Sequence, residues 1–309
     1  MICPSPSFYP MADIAKPYSP SKSYRGRFAP SPTGELHQGS LVAALASFLD
    51  AKAHQGTWLV RMEDLDPPRE QAGAAAAILT ALEAHHLYWD EPVLFQSQRL
   101  NAYADALARL THLTYQCTCT RQRISDLGGI YDGHCRQRKD IDTAQVSATR
   151  VYIEPTSLVQ LNTVDDIFLG NKANPLDNSG DFIIRRKDGL FAYQLAVAVD
   201  DNYQGITHVI RGADLFDSTN RQRYLLHSLG YDEPLYGHTP LVMLDRENKL
   251  SKQTGAKPLD NHCAFDNLCH ALVFLNHAPP EPISTSSDID TLLDWAIRHW
   301  QRARVITTR

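Results

Sequence analysis

The sequence lacks a long apolar run, because its hydrophobic segments are short and interrupted by polar residues. A helix that crosses a membrane needs about 20 consecutive, mainly apolar residues, so no transmembrane helix and no membrane contact are predicted. The first 23 residues are rich in proline and serine and lack the basic start and apolar stretch of a signal peptide. We expect residues 1–23 to form a flexible tail and the protein to be cytoplasmic.

Cysteine is also scarce, with six residues in the chain. Three of them are bunched at Cys117, Cys119 and Cys135, and the others are scattered. Without a secretion signal, bunched cysteines favour a metal site over a disulfide framework.

Positive charge is in deficit, and the formal net charge is −5. This argues against indiscriminate binding to nucleic acid, although a local basic face would suffice for RNA. Three basic clusters are candidates for such a face, and a solvated surface is the alternative for each. They are Arg121, Arg123, Arg136, Arg138 and Lys139; Arg185, Arg186 and Lys187; and Arg298, Arg302 and Arg304.

The composition, with 43% hydrophobic and 21% charged residues, is that of a folded globular protein. Apolar periodicity predicts a strand over Arg25–Ala29, a helix through Leu41–Leu49, a strand over Thr57–Glu63 and an Ala-rich helix from Glu70 to His86. Ser97 is predicted to cap the next helix. This alternating order predicts a parallel sheet with crossover helices.

The alternation breaks over residues 113–187, which we interpret as an insertion. Beyond it, Asp188-Gly189 between two apolar segments indicates a hairpin. The order resumes with a strand over Thr207–Arg211 and a helix that Ser218 caps and Gly230 ends. A C-terminal helix is predicted over Ile289–Arg302.

The segment Arg27–Ser40 joins a strand end to a helix start through a Pro-Gly loop. A helix N-terminus offers unpaired N–H groups and a partial positive charge, which favour a phosphate chain. Gly39 permits close approach of the backbone, and His37 could donate to phosphate oxygens as charge develops. A Pro-Gly turn with an incidental histidine is the alternative.

A second cationic segment is Lys249-Leu250-Ser251-Lys252-Gln253. A loop with two lysines could close over a triphosphate and neutralise its charge. Taken alone, the segment is more typical of a solvated surface loop.

Together these segments resemble class I aminoacyl-tRNA synthetases. His37–Ser40 stands where that family has its HIGH motif, and Lys249–Gln253 stands where it has its KMSKS loop. The string Arg27–Gly34 resembles glutamyl-tRNA synthetases in particular, as do Arg61–Asp66 and Tyr193–Asp201. The resemblance implies ATP-binding residues with Mg²⁺ as counter-ion, and it makes His37 and Lys252 catalytic. The ATP-binding residues are His37, Gly39, Lys249, Ser251 and Lys252.

The same resemblance implies a pocket for glutamate, formed by Arg27, Ala29, Ser31, Glu63, Tyr193 and Arg211. The chemistry agrees, because Glu63 suits an ammonium group and the two arginines suit carboxylates. Glu63 and Arg211 fall at predicted carboxyl ends of strands, where open α/β sheets bind ligands. Val197 departs from the asparagine that the family commonly has, so one polar contact to glutamate is expected to be missing.

The three bunched cysteines could hold one structural Zn²⁺ with a fourth ligand. Ligand statistics favour His134 for that position, whereas resemblance to short glutamyl-tRNA synthetase-like proteins implies Tyr131. We adopt the set Cys117, Cys119, Tyr131 and Cys135, and free or buried cysteines are the alternative.

Only residues 254–309 follow the lysine loop, which leaves no room for the helical anticodon-binding region of a full glutamyl-tRNA synthetase. The chain therefore resembles the truncated paralogues, the glutamyl-queuosine tRNA(Asp) synthetases. That resemblance implies activation of L-glutamate with ATP in the absence of tRNA. It further implies transfer of glutamate to the cyclopentenediol of queuosine in the anticodon loop of tRNA(Asp), by an enzyme that we expect to be a monomer.

The expected fold is α/β, a Rossmann-like parallel sheet with an inserted, zinc-containing connective domain and a small helical C-terminal region. The two halves of the catalytic domain are predicted over 24–112 and 188–240, with the insertion over 113–187 between them. The lysine loop and the helical region that resembles a stem-contact domain follow over 241–309.

Three other functions compete with this one. A conventional glutamyl-tRNA synthetase would charge the acceptor end, and the absent anticodon region argues against it. A silent RNA-binding paralogue is disfavoured by intact His37, Lys252, Glu63 and Arg211, although Gln253 and Val197 are departures. An adenylyltransferase acting on a small molecule is the third.

Overall fold

The computed structural model of the protein describes residues 23–138, 146–155, 157, 161–176, 180–243 and 257–305. The predicted lysine loop, with Lys249, Ser251 and Lys252, lies outside these residues. Within them, every helix is too short or too polar to traverse a bilayer.

Ten strands and nine α-helices are assigned in the described ranges. The strands are β1 Arg25–Phe28, β2 Thr57–Met62, β3 Leu94–Phe95, β4 Thr114–Cys117, β5 Ala148–Val151, β6 Thr163–Asp166, β7 Gly170–Ala173, β8 Phe182–Arg185, β9 His208–Gly212 and β10 Leu235–Thr239. The helices are α1 Gln38–Ala53, α2 Ala74–Ala84, α3 Leu100–Arg109, α4 Arg121–Asp126, α5 Tyr193–Tyr203, α6 Thr219–Leu229, α7 Ala264–Phe274, α8 Glu281–Ser284 and α9 Ile289–His299.

A seven-stranded sheet forms the centre of the fold, in the order β3-β2-β1-β9-β10-β6-β7. Its neighbours pair in parallel, except that β7 is antiparallel to β6. The predicted parallel sheet with crossover helices is therefore confirmed. A separate antiparallel sheet contains β4, β5 and β8.

Strand β2 is buried on both faces, as parallel strands covered by helices are. Trp58, Val60 and Met62 join the core cluster that contains α1, and Leu59 joins a cluster on the other face. The predicted alternation is thus confirmed. The face of Leu59 also carries Arg61, whose side chain is completely buried, and apolar patterning gave no sign of that.

Helix α1 is buried on almost every side. It contacts β1, β2 and β9 of the sheet, and α7 and α9 also pack on it. Leu41, Leu45 and Leu49 have no exposed surface, and each contributes roughly 1.5–3 kcal/mol by burial. This packing fixes the N-terminus of α1 above the carboxyl end of β1.

Three predicted helix boundaries are wrong. Helix α2 starts at Ala74 because Gly73 adopts a left-handed φ of 81°, so the helix does not reach back to Glu70. Ser97 does not cap α3, since its N–H and hydroxyl donate to Asp64 at 2.9 and 2.6 Å. Helix α9 ends at His299, because Trp300 is extended.

The turn predicted at Asp188-Gly189 is confirmed by backbone hydrogen bonds across it. Its second arm pairs through one isolated bridge, Arg185 with Phe191, and is not a full strand. Gly230 ends α6 with a left-handed φ of 69°, as predicted, but Ser218 makes no capping bond from its side chain.

The segment 113–187 divides between the two sheets. Strands β4, β5 and β8 form the antiparallel sheet, whereas β6 pairs with β10 of the main sheet through Asp166 and Tyr236. The irregular composition of this segment concealed β6, because its four residues include two aspartates.

Candidate active site and cysteine cluster

A cleft of about 390 Å³ opens at the carboxyl ends of β1, β9 and β10. Ligands bind at this edge of open α/β sheets. The structure brings seven of the residues predicted to bind glutamate or ATP to this cleft, and Glu63 is not among its lining residues. Those that line it are Arg27, Ala29, Ser31, His37, Gly39, Tyr193 and Arg211.

His37 is the residue that caps α1. Its Nδ1 accepts the backbone N–H of Ser40 at 3.3 Å, and the Ser40 hydroxyl lies 3.2 Å from Nε2. Gly39 and Ser40, in the first turn, also line the cleft. The predicted meeting of a strand end with a helix start is confirmed, and the helix terminus favours an anion there.

Arg211 is the penultimate residue of β9 and is almost completely buried, yet it lines the cleft. Its Nη1 donates to Oε1 of Gln222 at 2.7 Å, and its Nη2 donates to Oγ1 of Thr219 at 2.9 Å. Its Nε donates to Nε2 of His238 at 3.1 Å. All three of these acceptors are uncharged when His238 is neutral, so they orient the guanidinium without cancelling its charge.

Arg27, in contrast, pairs directly with a carboxylate. Its Nε lies 3.1 Å from Oδ1 of Asp201, and Nη1 of Arg61 lies 2.7 Å from the same oxygen. All three side chains are buried, and buried charges are found paired in this way. Sequence reasoning missed Asp201 as a site residue, although it ends the stretch Tyr193–Asp201.

Glu63 follows β2 and approaches the loop after β1, where its N–H donates to the Pro30 carbonyl at 2.9 Å. Burial raises the pKa of Glu63 to about 7, although the charges of Arg61 and Arg27 act in the opposite direction. Burial also raises the pKa of Tyr193, and the charge of Glu63 adds to that effect. The two predicted residues are therefore electrostatic neighbours.

Val197 is fully buried in α5. In a helix, residues four and eight apart share one face, so Val197 lies between Tyr193 and Asp201. The site-facing side of α5 thus carries an apolar residue at this position.

The three bunched cysteines meet in space. Their sulfur atoms lie within 4.8 Å of one another, and this group, searched over the described residues, does not include His134. The hydroxyl of Tyr131 is 3.7 Å from Sγ of Cys117 and accepts the backbone N–H of Cys135 at 2.6 Å. Three thiols within this distance could bind a metal ion, and zinc is commonly held by cysteine thiolates.

One thiol of this group favours its ionised form. Burial opposes ionisation of Cys135, but hydrogen bonds from the Thr118 backbone and the Tyr131 hydroxyl lower its pKa to about 6. Burial raises the pKa of Cys119 to about 11. A metal ion binds the thiolate form of cysteine, and Cys135 ionises more readily than Cys119.

Four arginines of the predicted basic clusters form ion pairs with carboxylates. Their ion pairs are Arg123 with Asp132, Arg136 with Asp181, Arg186 with Asp66 and Asp188, and Arg302 with Asp50. Lys187 donates to the Thr118 carbonyl at 2.8 Å, while Lys139 lies outside the described residues. Ion pairs of this kind reduce the charge that these four arginines can offer to RNA.

Comparison with known proteins agrees with this geometry. The sequence-family model for the catalytic domain of class I tRNA synthetases (E and Q) matches residues 23–268 of this chain. The glutamyl-Q tRNA(Asp) synthetase of Colwellia psychrerythraea is 49% identical over 306 residues, covering 94% of this chain and 95% of that protein. The glutamyl-Q tRNA(Asp) synthetase of Yersinia pestis is 50% identical over 280 residues, covering 90% of this chain and 85% of that protein.

A solved structure shows the same fold. The glutamate tRNA ligase of Elizabethkingia meningosepticum, in complex with its amino acid, matches with a TM-score of 0.71 at 23% identity. The match covers 93% of this chain and 66% of that ligase. By the family match and by these relatives, the chain belongs to the class I tRNA synthetases of the glutamate and glutamine type, and within them to the glutamyl-Q tRNA(Asp) synthetases.

Proposed function

We propose that the protein activates L-glutamate with ATP, without tRNA, and transfers it to the cyclopentenediol of queuosine at the wobble position of tRNA(Asp). One observation carries this proposal. The cleft places two buried guanidinium groups, those of Arg27 and Arg211, close to the capped N-terminus of α1. Such a site suits a dicarboxylic amino acid beside a nucleotide.

In the first step, an α-carboxylate oxygen of glutamate attacks the α-phosphorus of ATP. The bond from that phosphorus to the bridging oxygen breaks, and pyrophosphate leaves with Mg²⁺ as counter-ion. Arg27 and Arg211 hold the carboxylates, Glu63 receives the ammonium group, and Tyr193 with Ala29 and Ser31 shapes the pocket. Orientation and neutralised charge supply most of the acceleration.

The N-terminus of α1 receives the phosphates in this proposal. Gly39 admits them close to the backbone, and His37 stabilises charge at the α-phosphorus. Lys249, Ser251 and Lys252 belong to the lysine loop, outside the described residues. In this proposal they bind ATP, the two lysines neutralise the charge of its triphosphate, and Lys252 together with His37 stabilises the pentavalent state.

In the second step, a hydroxyl of the queuosine cyclopentenediol attacks the carbonyl carbon of glutamyl-adenylate. AMP leaves, the hydroxyl proton is released, and an ester is formed. The anticodon loop of tRNA(Asp) then occupies the position that the acceptor end takes in a conventional synthetase. We further propose that the protein acts as a monomer.

We also propose that Cys117, Cys119, Tyr131 and Cys135 hold one structural Zn²⁺. The ion would tie the end of β4 to the loop after α4, within the connective domain over 113–187. The catalytic halves over 24–112 and 188–240 and the C-terminal region over 241–309 complete the proposed domain division.

Two assays test the proposed function. Glutamate-dependent exchange of pyrophosphate into ATP should proceed without tRNA, and K252A and R211A should each lose most of it. Transfer of [¹⁴C]glutamate should occur to tRNA(Asp) that contains queuosine and should be absent with queuosine-free tRNA(Asp).

The location of the label separates the alternatives. Cleavage of the charged tRNA should leave the glutamate on the anticodon fragment. Full charging of queuosine-free tRNA, with the label at the 3′ end, would identify a conventional synthetase. Absence of exchange from the folded protein would identify a silent paralogue.

A further inference from the structure

Arg211 is held from behind by a histidine that does not line the cleft. The Nε of Arg211 donates to Nε2 of His238 at 3.1 Å, and the His238 side chain has no exposed surface. On its other side, Nδ1 of His238 lies 2.5 Å from Oδ2 of Asp166, which is equally buried. The three residues therefore form a chain that runs from the core to the cleft.

The sheet itself builds this chain. Arg211 stands opposite His238 in the β9–β10 pairing, and Asp166 stands opposite Tyr236 in the β10–β6 pairing. Asp166 is fixed in turn, because its Oδ1 accepts the N–H groups of Phe168 and Leu169 at 2.9 and 3.0 Å. Three neighbouring parallel strands thus present one residue each.

The hydrogen bonds assign the protonation of His238. Its Nε2 must carry a lone pair to accept from Arg211, so the ring proton sits on Nδ1 and is donated to Asp166. Burial lowers the pKa of His238 below its ordinary value. The hydrogen bond to Asp166 raises this pKa, whereas the charge of Arg211 lowers it further. The ring is therefore neutral, with one tautomer.

A neutral ring between a carboxylate and a guanidinium has a consequence for the ligand. Arg27 meets the Asp201 carboxylate directly, so much of its charge is compensated within the protein. Arg211 is oriented by a neutral acceptor, and Asp166 is one imidazole ring farther away. The positive charge of the Arg211 guanidinium therefore remains available on the side that faces the cleft.

We propose that His238, oriented by Asp166, is a positioning residue that holds the Arg211 guanidinium ready for a carboxylate of the substrate. This inference rests on the proposed function for the identity of that carboxylate, which belongs to L-glutamate. His238 touches neither the substrate nor the reacting atoms and acts through Arg211 alone.

The test compares H238A, H238Q and D166N with the control H208Q. His208 is also buried and lies in the adjacent strand β9, but it bonds to Thr207 and stacks on Tyr24 rather than holding Arg211. For each full-length variant, the dissociation constant for glutamate is measured by calorimetry without ATP. The KM values for glutamate and ATP in pyrophosphate exchange and the thermal unfolding midpoint are also measured.

We expect H238A to raise the dissociation constant and KM for glutamate about tenfold or more, the usual scale for a lost hydrogen bond to a charged group. KM for ATP should stay within about twofold, because positioning of Arg211 concerns the amino acid. H238Q keeps an acceptor for Arg211 and should recover part of the loss, and H208Q should bind glutamate as the wild type does. The double variant D166N/H238A should be no worse than H238A, since Asp166 acts through the ring.

Glutamate affinity within about twofold of wild type in folded H238A would overturn the inference, as would an equal loss in H208Q. If the His238 variants do not fold, D166N decides, and unchanged affinity there overturns the inference as well. A wild-type protein that binds glutamate but catalyses no exchange would contradict the proposed function and leave the role of His238 to the calorimetric comparison.

Discussion

Oε1 of Glu63 lies 3.4 Å from Nη2 of Arg61, and both side chains are almost completely buried. Arg61 lies in β2 and Glu63 directly follows this strand. Residues two apart in an extended chain point to the same face, so strand geometry places the guanidinium beside the carboxylate. The pair is long for an ion pair, and the carboxylate is left partly uncompensated. Burial accordingly raises the pKa of Glu63 to about 7.

The first prediction concerns the pH dependence of glutamate binding. Only ionised Glu63 attracts an ammonium group strongly, so affinity should be constant above about pH 7 and fall by up to about tenfold per pH unit below it. Calorimetry without ATP measures this, because the phosphates of ATP titrate in the same range.

The variant E63Q provides the control for this prediction. It should bind glutamate weakly at every pH from 5.5 to 8, since a neutral amide does not titrate. A wild-type profile that is flat between pH 5.5 and 7, or an E63Q profile as steep as that of the wild type, would show that another group is responsible.

The second prediction concerns the stability that Asp201 provides. Its carboxylate contacts Arg27 at 3.1 Å and Arg61 at 2.7 Å, and none of the three side chains is more than 4% exposed. D201N would leave two buried guanidinium groups without this anion, so the free energy of unfolding should fall by about 3 kcal/mol or more. Urea denaturation measures the change.

A pair at the surface supplies the comparison. Arg25 and Glu91 form an ion pair at 2.8 Å with side chains 25% and 45% exposed, so E91Q should cost less than about 1 kcal/mol. Equal losses in D201N and E91Q would mean that the buried network contributes no more than an ordinary surface pair.

The sequence predicted the parts of this protein that follow from local patterns. Strand β2 follows from apolar periodicity, and the start of α1 at the cleft follows from the Pro-Gly loop. The resemblance accounts for the gathering of Arg27, Ala29, Ser31, Tyr193 and Arg211 at the cleft. Asp201 and His238 could not be predicted as partners, because hydrogen-bonding chains across a sheet depend on strand order and register. Strand β6 was missed for a different reason, because only one of its four residues, Val164, is apolar and the strand carries no apolar pattern.

The third prediction concerns Arg302, which composition placed in a basic cluster for RNA. Its Nε and Nη2 donate to the two oxygens of Asp50 at 2.7 and 2.8 Å. Asp50 is completely buried and also accepts from the Tyr24 hydroxyl and the Trp300 indole. R302A should therefore lower the free energy of unfolding by about 2 kcal/mol, since a buried carboxylate loses its counter-ion.

The neighbouring Arg298 distinguishes a structural role from RNA binding. Its Nε donates only to the Asp294 carbonyl among the described residues, at 3.1 Å, so R298A should leave stability unchanged within about 0.5 kcal/mol. If R302A folds as stably as R298A and instead raises KM for tRNA(Asp), the cluster serves RNA as composition suggested.

The last prediction concerns the cysteine cluster and its fourth ligand. Purified protein should contain one zinc ion per chain by mass spectrometry of the metal, and C117S and C135S should each lose it. C263S should retain the metal, because Cys263 is exposed and belongs to no such cluster among the described residues.

Two further substitutions distinguish Tyr131 from His134 as the fourth ligand. Y131F removes the hydroxyl beside Cys117 and should weaken zinc binding at least about tenfold, whereas H134A should retain the ion, since His134 is absent from the group of sulfur atoms. Loss of zinc from H134A with full retention in Y131F would reverse the assignment, and metal-free wild-type protein would remove the site altogether. In either case exchange of pyrophosphate should persist, because the cluster lies in the antiparallel sheet region and contributes no residue to the cleft lining.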